Sequence, residues 1–274
     1  MKKIRLDLLL VERRLAESRS LAQRLVMAGQ IRVNGEIVLR SAANVASDVR
    51  LEVEPGPRFV SRGGEKLEAA FQAFELVVNE QICADVGSST GGFTDCLLQH
   101  GAAKVYAIDV GQGILDWKLR QNRRVLVMEG TNARYLERLP EPVDMITVDA
   151  SFISLRVLLP VIKNWFLMDI SKSKASKGNM IALIKPQFEA GRQQVGRGKG
   201  VIRDPAIHRQ VLLDVLDYAL QQGYRIHGLI RSPLTGPKGN VEFLTWLEYP
   251  AEQTDPLDGL VDLVLQETHP GGHA

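Results

Sequence analysis

Cysteine is scarce: the 274 residues hold two, Cys83 and Cys96, and neither sits in a spacing that suggests a disulfide framework or a zinc site. Both are expected to be buried and reduced, with no metal bound. Long apolar runs are also missing. The longest early one, Leu8-Leu9-Leu10-Val11, meets charged residues at once and falls far short of the roughly 20 residues a membrane span needs. No basic segment followed by an apolar stretch opens the chain, so a cytoplasmic protein without a membrane partner is expected. Internal repeats are absent. Charge of one sign is not in excess overall (34 Lys and Arg against 32 Asp and Glu), yet the first 60 residues carry eleven basic and seven acidic residues. A basic front end on a near-neutral body suits an anionic partner, or merely a solvated face.

The dinucleotide fingerprint Gly-x-Gly-x-x-Gly is another absence. In its place stands Asp85-Val86-Gly87-Ser88-Ser89-Thr90-Gly91-Gly92-Phe93-Thr94-Asp95, led in by the apolar Ile82-Cys83-Ala84 and followed by Leu97-Leu98. That order reads as strand, glycine-rich turn and helix, the turn letting backbone approach a ligand closely. Asp109 closes the next apolar stretch, Lys104–Ile108, about 20 residues on, where an acid grips a ribose diol. The acid-x-Gly-x-x-x-Gly-Gly pattern resembles the first motif of S-adenosyl-L-methionine (SAM) dependent methyltransferases. The resemblance implies that Asp85 lies near the methionine amino group and Asp109 takes the ribose hydroxyls. Gly87, Ser88, Ser89, Thr90, Gly91, Gly92 and Phe93 would wrap the cofactor, with Val110, Asn132 and Ala133 beside the adenosine.

The remaining elements fall in order around this turn. Apolar spacing predicts a helix over 5–15, and Ser18 caps a second helix, 19–28, stopped by Gly29. Asn34-Gly35 between two apolar segments signals a hairpin, and a strand over 49–53 precedes Pro55-Gly56-Pro57. Helices feeding a hairpin, with Leu15-Ala16-Glu17-Ser18-Arg19 and Ala28-Gly29-Gln30-Ile31-Arg32-Val33-Asn34-Gly35, resemble the RNA-binding domain named after ribosomal small-subunit protein four. Arg5, Arg14, Arg19, Arg24, Arg32 and Arg62 are then candidates for phosphate contacts. Further strands are expected at 125–128, 143–148, 180–184, 225–230 and 241–248, and helices at 65–74, 153–166, 207–222 and 257–265, with Pro160 bending or breaking the second of these. A basic loop spans 171–178. The glycine- and arginine-rich residues 190–203 suit either a flap that orders on RNA or an ordinary loop.

Four residues then stand out from separate elements: Lys66, Asp149, Lys185 and Glu242. The motifs Ser61-Arg62-Gly63-Gly64-x-Lys66, Asp149-Ala150-Ser151-Phe152-Ile153-Ser154, Lys185-Pro186-Gln187-Phe188-Glu189 and Gly239-Asn240-Val241-Glu242, with the glycine-rich stretch, resemble the TlyA family of FtsJ-like ribose methyltransferases. That resemblance implies a Lys-Asp-Lys-Glu tetrad and methylation of a cytidine 2′-hydroxyl in ribosomal RNA, either 23S alone or both 23S and 16S. Its partners would be that RNA or ribosomal subunits. A ribose hydroxyl must lose its proton as it attacks; a neutral lysine, here Lys185, can accept it, with Lys66 close enough to disfavour both being charged. Asp149 would orient Lys185, and Glu242 would hold Lys66 or the ribose. Rival chemistries fit less well: no Asn/Asp-Pro-Pro-aromatic motif follows the fourth strand, and neither cysteine is placed to attack a base. Family members often carry a hemolysin label, so membrane action, or silent RNA binding, is the alternative. The expected fold is α/β, a Rossmann-like SAM-dependent methyltransferase sheet over 61–250, preceded by a small α+β RNA-binding domain (1–55), a linker (56–60) and followed by a tail (251–274).

Overall fold

A computed structural model describes residues 3–166, 177–191, 200–251 and 257–268. Residues 171–176 of the expected basic loop and 192–199 of the glycine- and arginine-rich stretch lie outside them. The chain divides into two compact units, Met1–Arg58 and Phe59–Ala274.

The first unit begins with strand β1 (Lys3–Arg5) and helix α1 (Leu6–Glu12), which is shorter than its apolar periodicity suggests because Arg14 turns the chain with φ 58°. Helix α2 (Arg19–Met27) starts where Ser18 Oγ accepts the Leu21 N–H at 3.2 Å. Strands β2 (Ile31–Val33) and β3 (Glu36–Ile37) form the hairpin, with Asn34 and Gly35 both at positive φ (53° and 87°), as a two-residue primed turn requires. Strand β4 (Asn44–Ala46) pairs antiparallel with β1, and β5 (Leu51–Val53) with the far edge of β2. The β1–β4 pair was not anticipated; three-residue strands carry no readable alternation. Leu6, Leu10, Ala22, Val26 and Ile31 form the core.

Asp7, fully buried in α1, is the polar centre of this unit. It accepts from Arg5 Nε and Nη2 at 3.0 and 2.9 Å, Arg19 Nε at 3.0 Å and Gln23 Nε2 at 2.9 Å. These bonds, Arg5 first, hold its carboxyl well below the usual range.

The second unit is organised by one seven-stranded sheet. Its elements in chain order are α3 (Gly63–Phe74), β6 (Ile82–Val86), α4 (Gly92–Gln99), β7 (Lys104–Ile108), α5 (Trp117–Arg120), β8 (Val125–Met128), β9 (Met145–Val148) and α6 (Leu155–Ile162). There follow β10 (Gly178–Ile184), α7 (Pro186–Glu189), α8 (Pro205–Gln221), β11 (Arg225–Arg231), β12 (Phe243–Tyr249) and α9 (Asp258–Thr268). Pro160 lies inside α6, which gives way two residues later to a 3-10 turn at Lys163–Trp165. The sheet order is β11-β12-β10-β9-β6-β7-β8, parallel throughout except for β12, which runs against both neighbours. Leu67, Ala70 and Phe71 of α3 and Leu97 of α4 cover one face. Leu158 and Leu159 of α6, Leu212 and Leu216 of α8 and Val261 of α9 cover the other. Both faces are dry, which is why the central strands read as apolar runs.

Register sets what emerges at the carboxyl edge. Val86 lies opposite both Ile108 and Val148, so Gly87, Asp109 and Asp149 leave the sheet side by side. Ile184 pairs with Phe243, and because β12 is antiparallel its first residues meet the end of β10. Lys185 and Glu242 therefore flank the same point.

Replacing Asp7 by Asn should lower the stability of the first unit by about 1–2 kcal/mol, since charge-assisted bonds are lost but both arginines are partly exposed. Because a lowered carboxyl pKa contributes stability that is present above about pH 4 and lost on acidification, the deficit should shrink toward low pH. Urea melts of full-length protein at two pH values check this; an unchanged first-unit midpoint would remove Asp7 as its anchor.

Candidate active site

The four candidate residues converge. Asp149, at the end of β9, has Oδ1 2.5 Å from Lys185 Nζ and Oδ2 3.8 Å from Lys66 Nζ. Lys66, near the start of α3, donates to Glu242 Oε2 at 2.7 Å. Lys185 also donates to Ser151 Oγ at 2.9 Å and to the carbonyls of Ala150 and Asp149 at 3.1 and 3.3 Å. Lys185 and Glu242 are almost inaccessible (6% and 2% exposed). Two cations and two carboxylates thus balance in a half-dry cluster. The expected crowding of the two ammonium groups is corrected here: the Asp149 carboxylate stands between them, and each lysine has its own counter-charge.

Supporting residues escaped the sequence reading. Gln187 Nε2 donates to Glu242 Oε1 at 3.2 Å, extending the chain of bonds. Glu189, buried, accepts from Ser154 Oγ at 2.5 Å and the Leu155 N–H at 2.7 Å, tying α7 to the start of α6. Burial pushes its carboxyl up. Both glutamate and glutamine lie inside the quoted Lys185–Glu189 motif, so the signal was present without a role attached. Phe152 is 90% exposed with φ 62° and meets Phe188 in a tilted ring pair, 4.9 Å between centres.

Two clefts open on this edge and share Gly87, Ser89 and Asp149. One, of about 400 Å³, is lined by Arg62, Lys66, Ser88, Thr90, Gly92, Phe93 and the loop Leu234–Pro237. The other, of about 480 Å³, runs past Asp109, Val110, Asn132 and Ala133, with Ile108, Ile153 and Leu158 as apolar wall. Asp109 accepts the Ser89 and Gly111 N–H groups at 2.8 and 2.7 Å, which fixes both the turn and the rim. Gly91 (φ 98°) lines neither cleft; it faces Leu115 and Leu119.

Asp85 also lines neither. It is wholly buried and accepts from Thr94 Oγ1 at 2.6 Å and Thr147 Oγ1 at 3.1 Å. Burial pushes its carboxyl up to about 7.

Of the basic candidates in the first unit, Arg5 and Arg19 meet at Asp7, while Arg32 bonds Glu54 and, at 2.9 Å, the Gly35 carbonyl. Arg14 and Arg24 are exposed. Arg62, in the second unit, is exposed at the mouth of the first cleft.

A raised acid pKa contributes stability that is full below about pH 4, the unfolded value, and lost as pH rises through about 7. Wild-type protein should therefore melt lower at about pH 8 than at about pH 5, and Asp85→Asn, which carries no charge to desolvate, should remove much of that difference. Calorimetry of both proteins decides; parallel pH dependence would place the titrating charge elsewhere.

Comparison with known proteins bears on the family and the fold. Residues 59–249 match the FtsJ-like methyltransferase family and residues 4–50 the S4 domain. The chain is 41% identical over 267 residues to the 16S/23S rRNA (cytidine-2′-O)-methyltransferase TlyA of Mycobacterium tuberculosis, covering 96% of each chain. It is 41% identical over 231 residues to Hemolysin A of Brachyspira hyodysenteriae, covering 83% of this chain and 92% of that one. A solved structure from Streptococcus thermophilus, provisionally named a hemolysin, superposes with a TM-score of 0.73 at 40% identity, over 98% of this chain and 96% of that one. Among the described residues no helix is long and apolar enough to cross a membrane. Matched over residues 59–249 and 41% identical to a TlyA protein across 96% of both chains, the chain belongs to the TlyA branch of the FtsJ-like methyltransferases.

Proposed function

We propose that the protein transfers a methyl group from SAM to the ribose 2′-hydroxyl of a cytidine in ribosomal RNA. The observation that carries this is the Asp149 carboxylate held between Lys185 and Lys66 beside the glycine-rich turn. The residues around the second cleft fit SAM. Asp109 offers carboxylate oxygens at its rim and an apolar wall suits a purine; on the adjoining first cleft, Ser88 Oγ is buried with no hydrogen-bond partner among the described residues. A Cβ on Gly87 would fall 2.7 Å from the Asp149 carbonyl oxygen, so only glycine lets the turn pack this close to the catalytic loop. Asp109, Val110, Asn132 and Ala133 would hold the adenosine, and Ser88, Ser89 and Thr90 the methionine part. When bound, SAM supplies a methyl group on a sulfonium, already activated toward transfer.

The protein's remaining task is to place the hydroxyl and take its proton. Lys185 first gives a proton to solvent; as the neutral amine it accepts the hydroxyl proton, and Asp149 with the Ala150 carbonyl and Ser151 hydroxyl stabilises the ammonium formed again. Lys66, held by Glu242, contributes fixed positive charge on the cleft wall where negative charge develops on the ribose oxygen. The first unit's arginines, Arg14 and Arg24 foremost because their side chains are exposed, would bind RNA phosphates, with Arg62 at the cleft mouth.

Incubation of ribosomal RNA or subunits with the protein and methyl-labelled SAM, followed by digestion to nucleosides and mass spectrometry, should yield 2′-O-methylcytidine. Label on the base, or none in the presence of folded protein, would overturn the assignment.

A further inference from the structure

The facing sides of α3 and α4 carry a group of side chains that the methyl transfer leaves unused. Glu68 Oε2 lies 2.7 Å from His100 Nε2 and 3.9 Å from Cys96 Sγ, and the three donor atoms all fall within 4.8 Å of one another. Nothing in the spacing advertised this, because Glu68 comes from a different helix. Cys96 and His100 are four apart, so they share one face of α4 and its C-terminal cap.

We propose that Glu68, Cys96 and His100 form a binding site for a single zinc ion. A thiolate, an imidazole and a carboxylate make a mixed donor set that suits zinc and excludes magnesium or calcium, which take oxygen ligands. Zinc–ligand bonds of about 2.0–2.3 Å put tetrahedral donors about 3.3–3.7 Å apart. The present separations bracket that range, so small side-chain rotations suffice. Partners of the kind that orient metal ligands are in place: Gln72 Nε2 donates to Glu68 Oε1 at 2.9 Å, turning Oε2 toward the group, and the imidazole packs on Phe71 at 4.6 Å between ring centres. His100 has 29% of its side chain exposed, which provides the entry path and room for water as fourth ligand.

Binding requires the Cys96 thiol to release its proton to solvent and the imidazole to be neutral, so affinity should rise with pH. The site also has a position with consequences. Glu68 lies two residues beyond Lys66 on α3, and α4 opens at Gly92 and Phe93 on the wall of the first cleft. The ion would pin the helix that carries Lys66 to the helix that begins at the glycine-rich turn.

The test uses the full chain stripped with a chelator. Cobalt(II) should bind one to one and give a thiolate-to-cobalt charge-transfer band, which zinc then bleaches. Competition against a chromophoric chelator should show zinc affinity weakened more than about 100-fold in His100→Asn and Glu68→Gln, beyond the 10–100-fold typical of losing an outer partner. Cys96→Ser should abolish the band, whereas Cys83→Ser, altering the chain's other cysteine, should keep it. Zinc should raise the melting temperature of wild type and leave His100→Asn unmoved. Absence of a thiolate band in wild type, or equal zinc affinity in wild type and the folded, partly exposed His100→Asn variant, would overturn the proposal and leave a hydrogen-bonded polar cluster.

Discussion

A carboxylate between two ammonium groups is the interaction on which the site depends. Asp149 reaches Lys185 with one oxygen and Lys66 with the other, and Glu242 completes the balance from the far side. Unit charges about 4 Å apart near a protein surface interact by about 4 kcal/mol, and isolated buried charges cost several. Together the four hold one another in place, which is why residues scattered from position 66 to 242 end within a few ångströms. The same balance serves catalysis: once Lys185 has released its proton to solvent, it takes up the hydroxyl proton beside a carboxylate already aimed at the cation it becomes.

Backbone geometry enforces the cluster. The loop after β9 is gripped from three directions. Gly87 packs against the Asp149 carbonyl, Lys185 binds the carbonyls of Asp149 and Ala150, and Glu189 holds the first turn of α6. Phe152 sits in that loop in a left-handed conformation that costs a bulky residue of order 1–3 kcal/mol and persists only where surroundings impose it. On the opposite wall, a Cβ at Gly236 would fall 2.6 Å from Glu242 Oε1, so glycine there lets the cleft loop close over the carboxylate. Gly87 and Gly236 thus stand where loops meet Asp149 and Glu242.

The parallel core was legible because buried strands are continuous apolar runs and their ends are punctuated by glycine, acid or lysine. Asp149 and Lys185 followed directly from strand ends. Lys66 did not: a lysine on a helix flank has no local signature, and only the family motif drew attention to it. Glu242 was readable as the start of the last strand, but its neighbourhood with Lys185 depends on β12 being antiparallel, which no local pattern specifies. Asp85 shows the opposite failure. Its motif position suggested a ligand contact, while the side chain turns inward to Thr94 and Thr147, a choice made by packing between β6, α4 and β9. Asp7 and the Glu68–Cys96–His100 group were missed because their partners are assembled by tertiary contacts across helices.

The account stands or falls on Lys185 as proton acceptor. Single-turnover methylation of ribosomal RNA by wild type, Lys185→Ala and Lys185→Arg, with SAM affinity measured alongside, separates a base from a charge clamp. General acid–base catalysis contributes about 10²–10⁴-fold, so both variants should lose at least about 100-fold in rate while SAM affinity barely changes. Arginine keeps the positive charge but cannot give up a proton near neutral pH, so it should fail as alanine does. An arginine variant that methylates at near wild-type rate would contradict the account, reducing Lys185 to a clamp and leaving proton transfer to another group.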